Sequence, residues 1–266
     1  GLAAEALAAM ARRGLCRDEV AEFFASWAPP AGGQMLVIGC AGGESMTNNP
    51  TQALIDAGLG GLFIDARKRH IARARRKFGG PHRMIINATV TPSVLPGMLQ
   101  QHSRFVQQTE VVQVDVDSFD GPLLMQLLEV VSPSVIVVEV RHVLPFPFRY
   151  ACVECKFDEV VAHRNLWGAT LGYWVHELER RGYEVGAMDQ LDALFVRRGS
   201  TRPHQDRREL FLATMACYLR NRLIVRRPRD LFVPGGKPVE PTRANLEAIR
   251  ANLTRIHSGF RFALSL

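Results

Sequence analysis

The chain has 266 residues, of which 47% are hydrophobic and 22% charged, so it can bury a large core and is too apolar to be globally disordered. The longest apolar run, "SVIVVEV", is strand-sized and carries a glutamate. No helix of about 20 apolar residues is expected, which excludes a bilayer-spanning helix and reads as a soluble protein. Formal net charge is +7, and the excess is arginine, because Lys68, Lys77, Lys156 and Lys237 are the only lysines.

Arginine suits bidentate contact with carboxylate or phosphate, so nucleic acid or an acidic partner is one reading of that charge. The other reading is solvated faces, favoured because the basic residues spread over several segments rather than forming one block. The five cysteines are Cys16, Cys40, Cys152, Cys155 and Cys217. An odd, widely spaced set argues against a disulfide framework and fits a reducing compartment, cytoplasmic or organellar matrix. Cys152 and Cys155 form a CxxC without a second ligand pair, so ordinary thiols are expected rather than a zinc site. The first residue is Gly rather than Met, so the chain reads as processed or trimmed, with a removed targeting peptide left open.

In chain order, residues 3–13 and 17–27 read as two short helices; Val20, Phe23, Phe24 and Trp27 share one face of the second. Pro29 and Pro30 stop it. Short apolar runs then alternate with helix-length segments. The runs are 34–39, 61–65, 83–88, 111–116, 134–140, 183–188 and 193–198. The helical segments lie near 50–57, 66–78, 120–131 and 165–182. Apolar strands interleaved with amphipathic helices predict a parallel sheet covered on both faces. Only "DQLD" separates the last two runs, which predicts a hairpin. The expected fold is α/β: a doubly wound, mostly parallel seven-stranded sheet with an antiparallel terminal hairpin. Helical additions flank it, giving segments 1–30, 31–198 and 199–266. The last comprises a helix at 207–224, a proline- and glycine-rich loop, and a second helix at 243–258. It is too small for a core of its own, so it either packs on the main domain or docks on a protein partner.

Ligands of such sheets bind at the carboxyl ends of the strands, where strand order reverses. The first strand ends in Gly39-Cys40-Ala41-Gly42-Gly43, whose small residues let a ligand approach the backbone. The second ends in Asp65, about 22 residues beyond Gly43, a spacing at which an acid accepts both hydroxyls of a ribose. The combination predicts an adenosine-bearing cofactor; a glycine loop followed by a helix-capping aspartate is the alternative. No P-loop signature occurs. The terminal hairpin favours S-adenosylmethionine over a dinucleotide.

The order of "IGCAGGESMTNNPTQALIDAGLGGLFIDARKRHIARARRKF", "VQVDVDSFDGPLLMQLLEVVSPSVIVVEV", "LWGATLGYWVHELERRGYEVG" and "DALFVRR" resembles the FkbM-like branch of class I S-adenosylmethionine-dependent methyltransferases. The resemblance covers roughly residues 34–198. It implies a Rossmann-like methyltransferase fold with Gly39 and Gly43, flanking Cys40 and Ala41, as the methionine-side turn. It further implies Asp65 at the ribose and Asn87 with Ala88 near the adenine. Asp115, Asp117 and Asp120 match the aspartates after the fourth strand, and Glu139 the acid ending the fifth. Gly168-Ala169-Thr170-Leu171 matches a helix start. The chain departs from the pattern at Val37, where an acid is usual, and at Cys40, Ala41, Ser118, Phe119 and Arg141.

Asp115 and Asp117 alternate along the predicted fourth strand, so they should share a face. They are candidates to orient a cofactor amine or deprotonate an acceptor hydroxyl. With Asp120 they also have the chemistry of a divalent-cation site, though no metal is assigned; Asp120 is expected rather to cap the helix from Gly121. Glu139 is expected either to pair with Arg141 or to face the cleft, and His142 is the histidine placed for acid–base work. Three functions follow: O-methylation of a small or sugar-like hydroxyl, an inactive methyltransferase-fold subunit of a larger, perhaps organellar, assembly docking through 199–266, and RNA methylation supported by charge alone.

Overall fold

The computed structural model describes residues 19–40, 51–142, 144, 146–154, 167–189, 191–200, 214, 242–256 and 261–265. Helix α1 (Glu19–Ser26) places Val20, Phe23 and Phe24 against the sheet, with Trp27 stacked on Phe23. Strand β1 (Gln34–Ile38) follows, then α2 (Gln52–Asp56), β2 (Gly60–Asp65), α3 (Lys68–Phe78) and β3 (Arg83–Asn87). Next come α4 (Leu95–Gln101), α5 (Ser103–Val106), β4 (Thr109–Val114), α6 (Asp120–Leu127) and β5 (Val135–Glu139). After β6 (Arg149–Glu154) come α7 (Leu171–Glu179), β7 (Tyr183–Met188), β8 (Asp192–Arg197), α8 (Arg243–Ile256) and β9 (Arg261–Ser265).

Seven strands form one sheet in the order β3-β2-β1-β4-β5-β8-β7. Strands β1 to β5 pair in parallel, and β8 runs antiparallel between β5 and β7. This is the expected doubly wound Rossmann-like sheet of the methyltransferase type, with its terminal hairpin. Strand order reverses between β1 and β4, which sets the ligand edge at the carboxyl ends of these strands.

The alternation of side chains sorts the core into two layers. Met35, Val37, Phe63, Val111 and Val137 face α1, α2 and α3. Leu36, Ile38, Ile64, Val112, Val114 and Val138 face the layer that holds Leu95, Phe105, Leu123 and Trp174. Val37, where the resembled family has an acid, is 1% exposed in the first layer. One polar residue interrupts β4: Gln113 is buried, and its side-chain oxygen accepts from Thr51 Oγ1 at 2.7 Å. That bond removes the penalty of burying both groups unpaired. On the opposite face Trp174 is fully buried and donates its Nε1–H to Glu139 O at 2.9 Å, pinning α7 to the end of β5.

Several expectations shift. The strand predicted at 111–116 runs from Thr109 to Val114, and the helix near 165–182 from Leu171 to Glu179. Helices α4 and α5 occupy a stretch left unassigned in the sequence, where a Pro and a Gly inside α4 mask its apolar spacing. Strands β6 and β9 were also not expected. They pair antiparallel in a second sheet, and with α8 they enclose Phe148, Tyr150, Cys152, Ile249, Leu253 and Leu264. The described end of the tail thus packs on β6, an element of the main domain. Cys152 is buried in β6 rather than opening a helix; its CxxC partner Cys155 and the helices predicted at 3–13 and 207–224 lie outside the described residues, Thr214 apart.

Candidate functional site

A cavity of about 350 Å³ opens at the carboxyl edge where strand order reverses. Its walls come from Ile38 and Gly39 after β1, Ile64 to Arg67 after β2, His70 of α3, Ala88 to Thr91 after β3, and Asp115 to Phe119 after β4. Parallel register brings these ends level: Ile38 lies beside Ile64 and Val114, and Asp65 beside Asn87.

Gly39 adopts φ +88, and a Cβ there would lie 1.6 Å from Asp115 O. Only glycine permits this approach, which joins the ends of β1 and β4. Gly39 N–H donates to Ile64 O at 2.8 Å and Asp115 N–H to Ile38 O at 2.9 Å, so the ladder runs to the cavity rim.

Asp65 is 7% exposed, and both oxygens already have partners in the chain. Oδ1 accepts the Arg67 N–H at 2.7 Å, and Oδ2 lies 3.0 Å from His70 Nδ1. The helix-capping alternative takes a modified form: Asp65 turns the chain at Arg67, and α3 begins only at Lys68. Asn87 ends β3 beside the cavity-lining Ala88. Its Nδ2 donates to Asp65 O at 2.9 Å and Ala66 O at 3.0 Å, tying the ends of β2 and β3 together.

The other end of the cavity is acidic. Oxygens of Asp115, Asp117 and Glu139 lie within 4.8 Å of one another. The same-face argument for Asp115 and Asp117 does not hold, because β4 ends at Val114 and Asp117 turns the chain at φ +56. Tertiary folding brings them together instead. Arg141 is the counter-cation: one terminal nitrogen lies 2.6 Å from both Asp117 Oδ1 and Glu139 Oε2. Its guanidinium also sits 4.6 Å from the centre of the Trp167 ring. Glu139 therefore takes the ion-pair option. Asp120 stands outside the trio and caps nothing downstream. It is fully buried at the start of α6, and its carboxylate accepts the N–H groups of Val116 at 2.8 Å and Ser118 at 3.1 Å, holding the loop before it.

Burial, with the nearby charges of Asp120 and Asp117, raises Asp115 to about 7 despite the opposing Arg141. Burial and the Asp115 charge push Glu139 well above the ordinary range, and burial raises Asp120. Asp192, opposite Glu139 in β8, is pushed well up by burial and by Asp189. Four carboxyl groups thus hold protons more tightly than in water, chiefly because burial disfavours the charged form, and Arg141 opposes this only at Asp115, Asp120 and Glu139.

A bridging segment closes this end. Arg141 N–H donates to Ala169 O at 2.8 Å, Gly168 N–H to Ser118 O at 3.0 Å, and Thr170 Oγ1 to Phe148 O at 2.8 Å. The segment 168–170 therefore connects the ends of β4 and β5 to β6, and Leu171 opens α7 where the helix start was expected.

Of the predicted residues, Gly39, Asp65, Ala88, Asp115 and Asp117 line the cavity and Glu139 adjoins it. Cys40 is 2% exposed in the helix-side core, and neither it, Asn87 nor His142 is among the described lining residues. Ala41 and Gly43 lie outside the described residues. Sequence reading missed His70 and Arg67. Their only signal was an acid followed two and five positions later, which matches no regular motif.

Neither a family model nor a curated protein matches the chain. Among solved structures it is similar to an O-methyltransferase from Bacillus cereus in complex with S-adenosylhomocysteine, at 14% identity and TM-score 0.40 over 68% of this chain and 90% of that one. A methyltransferase from Geobacter sulfurreducens, also in complex with S-adenosylhomocysteine, aligns at 13% identity and TM-score 0.37 over 96% and 93%. One from Thiobacillus denitrificans, with the same ligand, aligns at 14% and 0.35 over 67% and 70%. These likenesses are faint; the strand order of the sheet itself defines the fold. Among the described residues no helix is long and apolar enough to cross a membrane.

Proposed function

We propose that the chain binds S-adenosylmethionine in this cavity and methylates the hydroxyl of a small or sugar-like acceptor. The observation that carries the reading is one cavity, at the strand-order reversal, with Asp65 at one end and Asp115 and Asp117 at the other. Its volume lies within the usual range for small-ligand sites, about 300–1,000 Å³. Asp65 lines the cavity at the end of β2, the position from which an acid contacts a ribose diol, and Ile38, Ile64, Ala88 and Val90 offer apolar walls for a purine.

When bound, the cofactor supplies an electrophilic methyl group on a sulfonium. The chain supplies position and a proton acceptor. Raised to about 7, Asp115 exchanges a proton near neutrality, as a general base should. Asp115 would accept the proton of the acceptor's hydroxyl, while a cofactor held by Gly39, Asp65 and the apolar wall would supply the methyl group to that oxygen. Arg141 holds Asp117 and Glu139 aside from that exchange, and rate enhancement comes chiefly from alignment.

A second reading rests on the same clamp. Arg141 bound to Asp117 and Glu139, with Val37 buried where an acid is usual, also suits a methyltransferase fold kept as a non-catalytic assembly subunit. Calorimetric titration with S-adenosylmethionine and S-adenosylhomocysteine, repeated on Asp65→Ala, separates the two. Micromolar binding weakened at least about tenfold by the substitution supports the enzyme reading, a loss of about 1.4 kcal/mol. No binding at millimolar ligand refutes it and leaves the subunit reading.

A further inference from the structure

The positive charge of the chain is concentrated. Residues 66–109 contain nine of the 33 Lys and Arg and none of the 26 Asp and Glu. Residues 201–266 contain thirteen more with five acids, and the remainder of the chain is net acidic. The basic residues fall in several segments, as the sequence reading has it, and two of these carry the whole excess. The first of these two segments is described throughout, and seven of its nine basic residues lie between Arg67 and Lys77, on α3 and its N-cap.

Stability explains only part of that placement: Arg75, Arg76 and Lys77 lie in the last turn, where cations suit the negative end of the helix dipole. Helix α3 buries His70, Ile71, Ala74 and Phe78, which leaves the opposite face to Lys68, Arg69 and Arg76. Among the described residues none of these three has a carboxylate within ion-pairing distance. The first turn holds no acid and starts with Lys68 and Arg69, the wrong sign for the positive end of the helix dipole. The Asp65 carboxylate offsets this only at the Arg67 amide. Other basic residues near α3 do structural work: Arg83 donates to the carbonyls of Leu59, Phe78 and Ile55. The outward face has no such task.

We propose that the exposed face of α3 docks the phosphate backbone of a nucleic acid. A membrane surface would call for apolar side chains to insert, and a protein interface for an aromatic or aliphatic anchor at its centre. Among the described residues the exposed large hydrophobics are Met84, Val94, Val130 and Leu191, none of them on α3. A row of unpaired cations without an apolar centre matches binding driven by counterion release. The helix is about 16 Å long, about the axial rise of five nucleotides of one strand. The surface does not depend on the cofactor reading.

The test is fluorescence anisotropy of the full chain with a labelled 20-nucleotide RNA and a 20-base-pair DNA duplex, between 50 and 200 mM KCl. The triple variant Lys68→Gln, Arg69→Gln, Arg76→Gln is compared with a control losing three charges elsewhere: Arg180→Gln, Arg181→Gln, Arg198→Gln. On single-stranded RNA each phosphate contact adds about 0.7 to the salt slope, so the α3 variant should flatten it by about 2. At 50 mM KCl its affinity should fall at least about tenfold, and the control's less than about threefold, with unchanged thermal melting in both. Equal loss in the two variants would mean net charge alone is at work and would overturn the proposal. So would absence of binding to both nucleic acids, or binding only to phosphatidylserine vesicles. RNA binding without duplex binding, or the reverse, identifies which source of phosphate the surface accepts.

Discussion

The two halves of the sheet's carboxyl edge are built on opposite principles. Beside β1, β2 and β3 the edge is open, apolar and satisfied: Asp65 has two partners, Asn87 ties the loops, and Gly39 allows close approach. Beside β4 and β5 it is crowded with acids that share Arg141 and hold their protons tightly. The first half is preorganised for a ligand at little internal cost. The second stores electrostatic tension that a bound acceptor could use, and its integrity depends on one side chain.

The comparison can be broken most sharply at its seam. Gly39→Ala should cost about 4 kcal/mol or more, because the new Cβ meets backbone oxygen and the residue must hold a left-handed φ. Urea denaturation measures this directly, and a loss below about 1 kcal/mol would show that the edges of β1 and β4 are not locked. Next in size is Arg141→Met, which leaves Glu139 buried without its cation and should cost about 3 kcal/mol near neutral pH. The loss should shrink as pH falls, because the buried Glu139 takes up its proton more readily than an ordinary carboxyl.

On the open half, His70→Leu should weaken binding of S-adenosylhomocysteine about three- to tenfold by releasing Asp65 Oδ2. His70→Asn, which keeps a donor near the Nδ1 position, should restore most of the affinity. Equal loss in both variants would mean that His70 acts through packing rather than through that bond.

The crowded half is also open to a test through its pH dependence. Asp115 is raised from 3.8 to about 7, so the folded chain binds a proton that the unfolded chain has released across that interval. Its contribution to stability is fully present below about pH 3.8 and is lost as pH rises through about 7. Glu139, Asp120 and Asp192 shift the same way. Stability should therefore decline from pH 5 to pH 7.5, and Asp115→Asn should flatten that decline. A flat wild-type profile would show that the acids are better solvated than their burial implies.

The fold was legible because its signals are local. Each parallel strand is apolar along its length, each helix shows one apolar face, and "DQLD" leaves room only for a hairpin. Asp65 and Gly39 were legible for the same reason, since both end apolar runs that must form strands. His70 and the tie of Asn87 to the β2 end depend on how a helix and a neighbouring strand come to rest, and no spacing encodes that. Strands β6 and β9 are short and lie more than a hundred residues apart, so neither predicts the other until they pair.

The sequence by itself determined the seven strands of the main sheet with most of the helices between them, the terminal hairpin and the acid at the end of β2, because periodicity and chain-local chemistry suffice for these. Only the tertiary structure decided that Arg141 bridges Asp117 and Glu139, that Asp115 and Asp117 meet across a turn rather than along a strand, and that α3 turns its unpaired basic face to solvent. The first depends on residues remote in the chain, the second on a local turn at positive φ, and the third on which groups lose water, none of which the linear order of side chains fixes.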